Sequence, residues 1–342
     1  MNRVLIDKLA AALLYEGYVL YPYRPSVKNT QRWTFGGIYP QAWSEAQNGA
    51  EPYLMQTECL LEGSVARVRI IVRFLQLIER TVGKSRGNGF EKVDSLEIGE
   101  KRFQPWQEAI EREIDLGNFS IADLLSRTEK TSAFERDEQE EFLHDSEGNV
   151  AGVLWRRRQG IAVSIEMSVT QLADELFKLT IQIINRTPLP DAAQKSRDEM
   201  LLNSLISTHT ILGIENGQFV SQTDPPPALK EHVATCKNIG AWPVLVGTEP
   251  ERDTILSSPI ILSDYPEIAP ESPGDLFDGL EIDEILTLRI LTLTDEEKKT
   301  AAAMDERVAQ LLQRTEALAR QQMMNLHGAI RGMKMVPEEQ QP

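Results

Sequence analysis

Cysteine is nearly absent from this chain. Cys59 and Cys236 are the only two in 342 residues and lie far apart, which excludes a disulfide scaffold and reads as two reduced thiols. No stretch of about 18 consecutive apolar residues occurs, so no membrane-spanning helix is expected. The most apolar N-terminal stretch, 4–14, is interrupted by Asp7 and Lys8, which argues against a signal peptide and for a cytoplasmic location. Basic residues are in deficit, with 36 Lys and Arg against 52 Asp and Glu and a net charge of -16. That balance excludes a general nucleic-acid binder, which needs a basic surface to displace counterions. Signatures of covalent chemistry are sparse too: Gly83-Lys84-Ser85 is only a fragment of a phosphate loop, and Gly83-Lys84-Ser85-Arg86-Gly87 has GxSxG spacing but sits in a turn-rich stretch with no helix pattern after it, so no catalytic residue is assigned.

What is present suits a folded protein. Hydrophobic residues make up 41% and charged residues 26%, enough to bury a core. Charge is distributed unevenly: residues 1–90 hold 11 basic and 7 acidic side chains, whereas residues 251–297 hold 13 acidic and 2 basic.

The clearest periodicity is that of strands. Val153–Arg158, then Ile161, Val163, Ile165, Met167 and Val169, then Phe177, Leu179, Ile181 and Ile183 alternate apolar with polar, broken by turn chemistry at Gly160 and Ala173-Asp174. Alternation means one buried and one solvated face, and short connections mean successive antiparallel strands. Residues 53–61 and 65–78 are also β-rich, with Glu62-Gly63-Ser64 suggesting a hairpin between them and Arg67, Arg69 and Arg73 on one strand face. Helices are expected over 3–15, 105–126 and 198–212, and short strands over 242–246, 254–262 and 285–293. Thr294-Asp295-Glu296-Glu297 is a capping box, and apolar residues from Ala301 to Leu318 follow at helical spacing. The fold class read from this is α+β and β-rich: an antiparallel β-sandwich or curved sheet with an N-terminal helix and a long C-terminal helix. Residues 1–190 form the main body, 191–293 a second lobe or its continuation, 294–328 the C-terminal helix and 329–342 a tail.

Two segments stand out as binding surfaces. Tyr21, Tyr23, Arg24, Lys28, Asn29, Arg32 and Trp33 concentrate residue types that bury large area and offer directional hydrogen bonds. Asp264, Tyr265, Glu267, Glu271, Asp275 and Asp278 sit in a proline-stiffened acidic loop that could face a basic partner or the basic N-terminal half of the same chain. For a metal, His232 and Cys236 are spaced to share a helix face, with Cys59 and His209 as candidates to complete the set.

Tyr15–Ser26, Met55–Leu60, Leu256–Phe277 and Glu281–Thr294 resemble an uncharacterised bacterial family encoded near uptake nickel–iron hydrogenases and their maturation genes. The resemblance covers about residues 10–300 and implies an accessory or maturation role, without catalytic residues to carry over. The expectation is therefore a non-enzymatic accessory protein with a protein partner, no nucleic acid, no membrane insertion and no cofactor, self-association being left open. Two alternatives stand beside it. One is a metal-handling protein or enzyme built on Cys59 and Cys236 with His209 or His232. The other is a carbohydrate- or small-ligand-binding sandwich, suggested by the strand Leu179–Thr187 and the aromatics.

Overall fold

The computed structural model describes residues 6–10, 13–14, 36–99 and 101–266, with Lys298 and Gln313 standing alone beyond them. It is β-rich, and every pairing between its strands is antiparallel. The long C-terminal helix expected over 294–328 and the strand expected over 285–293 lie outside the described residues.

The strands in chain order are β1 (Leu54–Glu62), β2 (Arg67–Arg86), β3 (Gly89–Val93), β4 (Leu96–Ile98), β5 (Lys101–Phe103), β6 (Trp106–Ser120), β7 (Thr128–Phe134) and β8 (Asp137–His144). They continue as β9 (Val150–Arg158), β10 (Ile161–Ala173), β11 (Leu176–Asn185), β12 (Ile206–Glu215), β13 (Gln218–Phe219), β14 (Trp242–Leu245) and β15 (Thr254–Ser258). One sheet has the order β13-β1-β11-β10-β7; a second runs β14-β15-β12-β2-β9-β8, with β3 and β6 also paired to β2. Alternation dictates the layering. Cys59 and Leu61 of β1, Leu179, Ile181 and Ile183 of β11, and Val163, Ile165 and Met167 of β10 share one core with Val68, Ile70, Val72 and Phe74 of β2 and Leu212 and Ile214 of β12. The opposite face of the second sheet is covered as well, because Ile6, Leu9, Ala10 and Leu13 of the N-terminal helical residues pack on Ile71, Ile211, Val244 and Leu256.

β2 organises the molecule. Its 20 residues, at about 3.3 Å each, are too long for one sheet width. Arg67–Leu75 run between β12 and β6, whereas Val82–Lys84 run between β9 and β3. The second half of β2 therefore carries a four-stranded extension, β8-β9-β2-β3, referred to below as the wing. One wing face is closed by Val82, Leu96, Leu143 and Leu154, with Ile98 and Phe103 of the β4–β5 hairpin packed on them.

Several expectations are corrected. Residues 106–120 are a strand, not a helix, and only Ile121–Leu124 are helical, capped by Ser120 and Asp123. The helix expected over 198–212 is confined to Arg197–Leu201, and Ile206 already begins β12. β1 and β2 do not form a hairpin: β1 pairs with β11 and β13, and the chain crosses between sheets at Gly63, whose φ of 123 suits glycine. β9 and β10 likewise lie in different sheets. The β10–β11 hairpin is as the alternation implies, closed at Ala173↔Leu176 with Glu175 at φ 58. Strands are also found over Trp242–Leu245 and Thr254–Ser258.

Inside the core, Thr57 and Ser257 join the two sheets through a 2.7 Å hydroxyl pair. Thr210, the register partner of Ser257, has a buried hydroxyl with no hydrogen-bond partner among the described residues. An orphaned hydroxyl costs its desolvation energy without return. Thr210→Val, which keeps the shape and removes the hydroxyl, is expected to stabilise the protein by about 1 kcal/mol, read as a higher urea midpoint with an unchanged slope.

Candidate functional site

The segments singled out from sequence separate on inspection. Tyr21, Tyr23, Arg24, Lys28, Asn29, Arg32 and Trp33, and likewise Glu267, Glu271, Asp275 and Asp278, lie outside the described residues. Asp264 spends its carboxylate on its own chain: it accepts the Ser221 hydroxyl, the Thr223 hydroxyl at 2.7 Å and the Leu245 N–H at 2.8 Å. Tyr265, at φ 53, donates its hydroxyl to the Glu251 carbonyl at 2.8 Å. These two residues fasten the 262–266 segment to β14.

The four metal candidates do not gather. Cys59 is buried between the sheets, and burial, followed by the neighbouring Cys236 and Glu58, pushes its thiol far up. Cys236 packs against the separate cluster of Leu60, Leu176 and Val220, and its thiol is also pushed up by burial, against the opposing hydrogen bond from Gln222. His232 belongs to the short helix Lys230–Val233, which ends before Cys236, so the shared helix face expected from their spacing is not formed. His209 pairs with Arg73 in the β12–β2 register. Among the described residues, no three His, Cys, Asp or Glu side chains lie together as a metal ion would require.

The surface that does assemble from distant residues is the open face of the wing. In antiparallel pairs, facing residues share a side, so the register places Phe142, Val153, Gly83 and Lys92 in one row, with Glu140, Trp155 and Thr81 in the next. Val153 is buried, whereas Phe90 and Phe142 remain 36% and 49% exposed. Trp155 lies against the backbone of β2: a Cβ on Gly83 would come within 2.6 Å of its ring, so only glycine lets the indole lie there. The indole N–H donates to Glu140 at 2.9 Å. Phe90 meets Trp155 edge-on with centroids 6.2 Å apart, and Phe142 with centroids 5.9 Å apart. Phe90 and Phe142 belong to the two outermost strands of the wing, nominally about 14 Å apart at the usual strand spacing, so their rings lean inward over Val153 from both sides.

A ladder of ion pairs ties the wing strands together, with Arg157 and Glu138 on the aromatic side and Arg80, Arg156 and Glu141 on the side of Val82 and Leu154. Arg156 bonds Glu108 at 2.7 Å and Glu141 at 2.6 Å, Arg157 bonds Glu138 at 2.6 Å, and Arg80 joins Glu108 at 2.9 Å. The hydrogen bonds from Arg136 and Arg157 hold the Glu138 carboxyl below the usual range. The network fixes the positions of β8 and β9 beneath the aromatic cluster more than it stabilises the fold, because surface pairs contribute little each.

Sequence reading missed Phe90, Phe142 and Trp155. A signal was available in Phe142-Leu143: two large apolar neighbours on one strand cannot share a face, so one of them must point away from the core. No family model matches the chain, and no curated protein is similar to it at a significant level.

Among the described residues, no helix is long and apolar enough to cross a membrane.

Proposed function

We propose that this chain is a non-enzymatic accessory protein that binds a protein partner through the aromatic face of the wing. One observation carries the reading: Phe90 and Phe142 are partly exposed and pack on each other, and Phe90 also meets the Trp155 ring, which is held by Glu140 and lies over Gly83. Large aromatics that are ordered before binding lose little entropy when a partner covers them, and such residues dominate interface energetics. A protein partner fits better than a sugar. Sugar stacking needs an open flat ring, and Phe90 stands at 89° to Trp155. The resemblance of the sequence to a hydrogenase-associated family supports assembly of a hydrogenase or another metalloenzyme, in the cytoplasm, as the setting.

The test is an affinity pull-down from native cells with the partner identified by mass spectrometry, repeated with the Phe90→Ser/Phe142→Ser variant. Loss of two anchor side chains is expected to lower partner recovery by about tenfold or more, with a folded protein retained because both rings are only partly buried and lie outside the main core. Equal recovery with the variant would remove this face as the binding surface.

A further inference from the structure

β8 is the terminal strand of its sheet. It pairs with β9 from Asp137↔Arg158 to His144↔Val150, and among the described residues no strand occupies its other edge. Backbone N–H and C=O groups along such an edge are open to an added strand. The edge is also acidic, and its acids are not equivalent. Asp137, Glu138 and Glu141 are each matched by an arginine of β9. Glu140 instead accepts a neutral indole N–H, so no cation offsets its charge among the described residues.

Charge decides what this edge can accept. A second copy adding antiparallel to β8 would set acids against acids, which is unfavourable for directly opposed like charges. A strand carrying lysine or arginine opposite Glu140 would find the missing counter-charge. Glu140 and Phe142 share the aromatic face, so the side chain of the incoming strand that falls opposite Phe142 would be apolar and would cover the exposed ring.

We infer that the partner contributes an extended segment, with a basic side chain and an apolar one on the same face, that adds as a new strand to the free edge of β8. The inference rests on the partner-binding role proposed above. Main-chain pairing would supply general affinity, and the Glu140–Phe142 pair would select the sequence, the usual division of labour in strand addition.

The experiment uses the full chain and three fluorescein-labelled short peptides: one alternating threonine with lysine and valine, one with glutamate in place of lysine, and one with proline at alternate threonines. Fluorescence anisotropy should show the basic peptide binding at least about tenfold tighter than the acidic one, a difference of ~1.4 kcal/mol, and no binding of the proline peptide. Glu140→Gln, which keeps an acceptor for Trp155, should weaken the basic peptide, and Glu140→Lys should reverse the preference. Absence of basic-peptide binding, equal binding of all three peptides, or a preference unchanged in Glu140→Lys would overturn strand addition. So would sedimentation showing a dimer that Glu140→Lys dissolves, which would make the occupant a second copy. If partner recovery depends on Phe90 and Phe142 while the peptides fail, the binding role stands and only this mode of docking falls.

Discussion

Replacing Asn185 with alanine is expected to cost about 3–5 kcal/mol of stability, the range of a broken buried network, and to be the most damaging single truncation of a polar side chain in the described fold. Asn185 is fully buried at the end of β11. Its amide N–H groups donate to the carbonyls of Ile38 and Asn203, both at 2.9 Å, and its carbonyl accepts the Thr187 N–H at 3.0 Å and the Thr187 hydroxyl at 2.6 Å. One side chain thus joins three chain segments that meet where Ile38 bridges Leu205. In the alanine variant the Asn203 carbonyl and the two Thr187 donors lose their partner in a largely buried site, where unmade hydrogen bonds are costly. Thr187→Ala should cost less, because the backbone N–H still reaches Asn185 and only the hydroxyl and its bond from the Ala162 N–H are lost. Urea unfolding of both single variants and the double should be clearly sub-additive, the double costing little more than Asn185→Ala alone. Simple additivity would show that the two residues do not act as one network.

The layered β architecture was legible wherever one face of a strand is buried and the other solvated. In β10 and β11 every second side chain enters the shared core, so period two in the sequence is the fold written directly. β6 failed for an instructive reason. Trp106, Ile110 and Ile114 are spaced by four, which fits one face of a helix, yet four is also twice two and places all three on one face of a strand. The residues between them are helix formers such as Glu108, Ala109, Glu111 and Arg112. Pairing with β2 from Arg67↔Ser120 to Arg80↔Trp106 settles the matter, and tertiary context overrides propensity. The β12 error is of the opposite kind: Ile206-Ser207-Thr208-His209-Thr210-Ile211 is rich in β-branched residues, a strand signal masked by the real helix just before it.

The aromatic face could not be read in one dimension because it has no local signature. Phe90, Phe142 and Trp155 come from three strands, and they meet only because β2 extends past β12 far enough to host β3 on one side and β9 on the other. Gly83 illustrates the limit. In sequence it belongs to a broken phosphate-loop pattern, whereas in the fold its missing side chain is what admits the Trp155 ring. Residue types alone favoured cysteine and histidine, and the fold buries Cys59 between the two sheets and His209 on the outer side of the second sheet instead.

His209 sets the second large expectation, a loss of stability in mild acid. It is fully buried, and its Nδ1 lies 2.6 Å from the Ser207 carbonyl. A carbonyl can only accept, so Nδ1 carries the proton and Nε2 is left as a buried acceptor without a partner among the described residues. Protonating Nε2 would place a second positive charge beside Arg73, whose guanidinium is already shared by Asp7 at 2.5 Å and Glu113 at 2.6 Å. Burial first, and then Arg73, lowers the imidazole from its ordinary 6.5 to about 4, against the opposing hydrogen bond to Ser207. The sign follows from which state binds the proton. Between those two values the unfolded chain is protonated and the folded protein is not, so stability is complete above pH 6.5 and drains away as the pH falls towards 4. At ~1.36 kcal/mol per pH unit the loss is about 3 kcal/mol. His209→Gln cannot take up this proton, so it should be less stable than the parent at neutral pH, and the gap should close by a similar amount at the acidic end of the window. Carboxylates elsewhere titrate alike in both proteins and cancel from the difference. Urea midpoints measured across this range decide it, and a gap between parent and variant that stays constant with pH would mean that the folded protein accommodates the imidazolium, with the outer layer over Arg73 opening to let water reach Nε2.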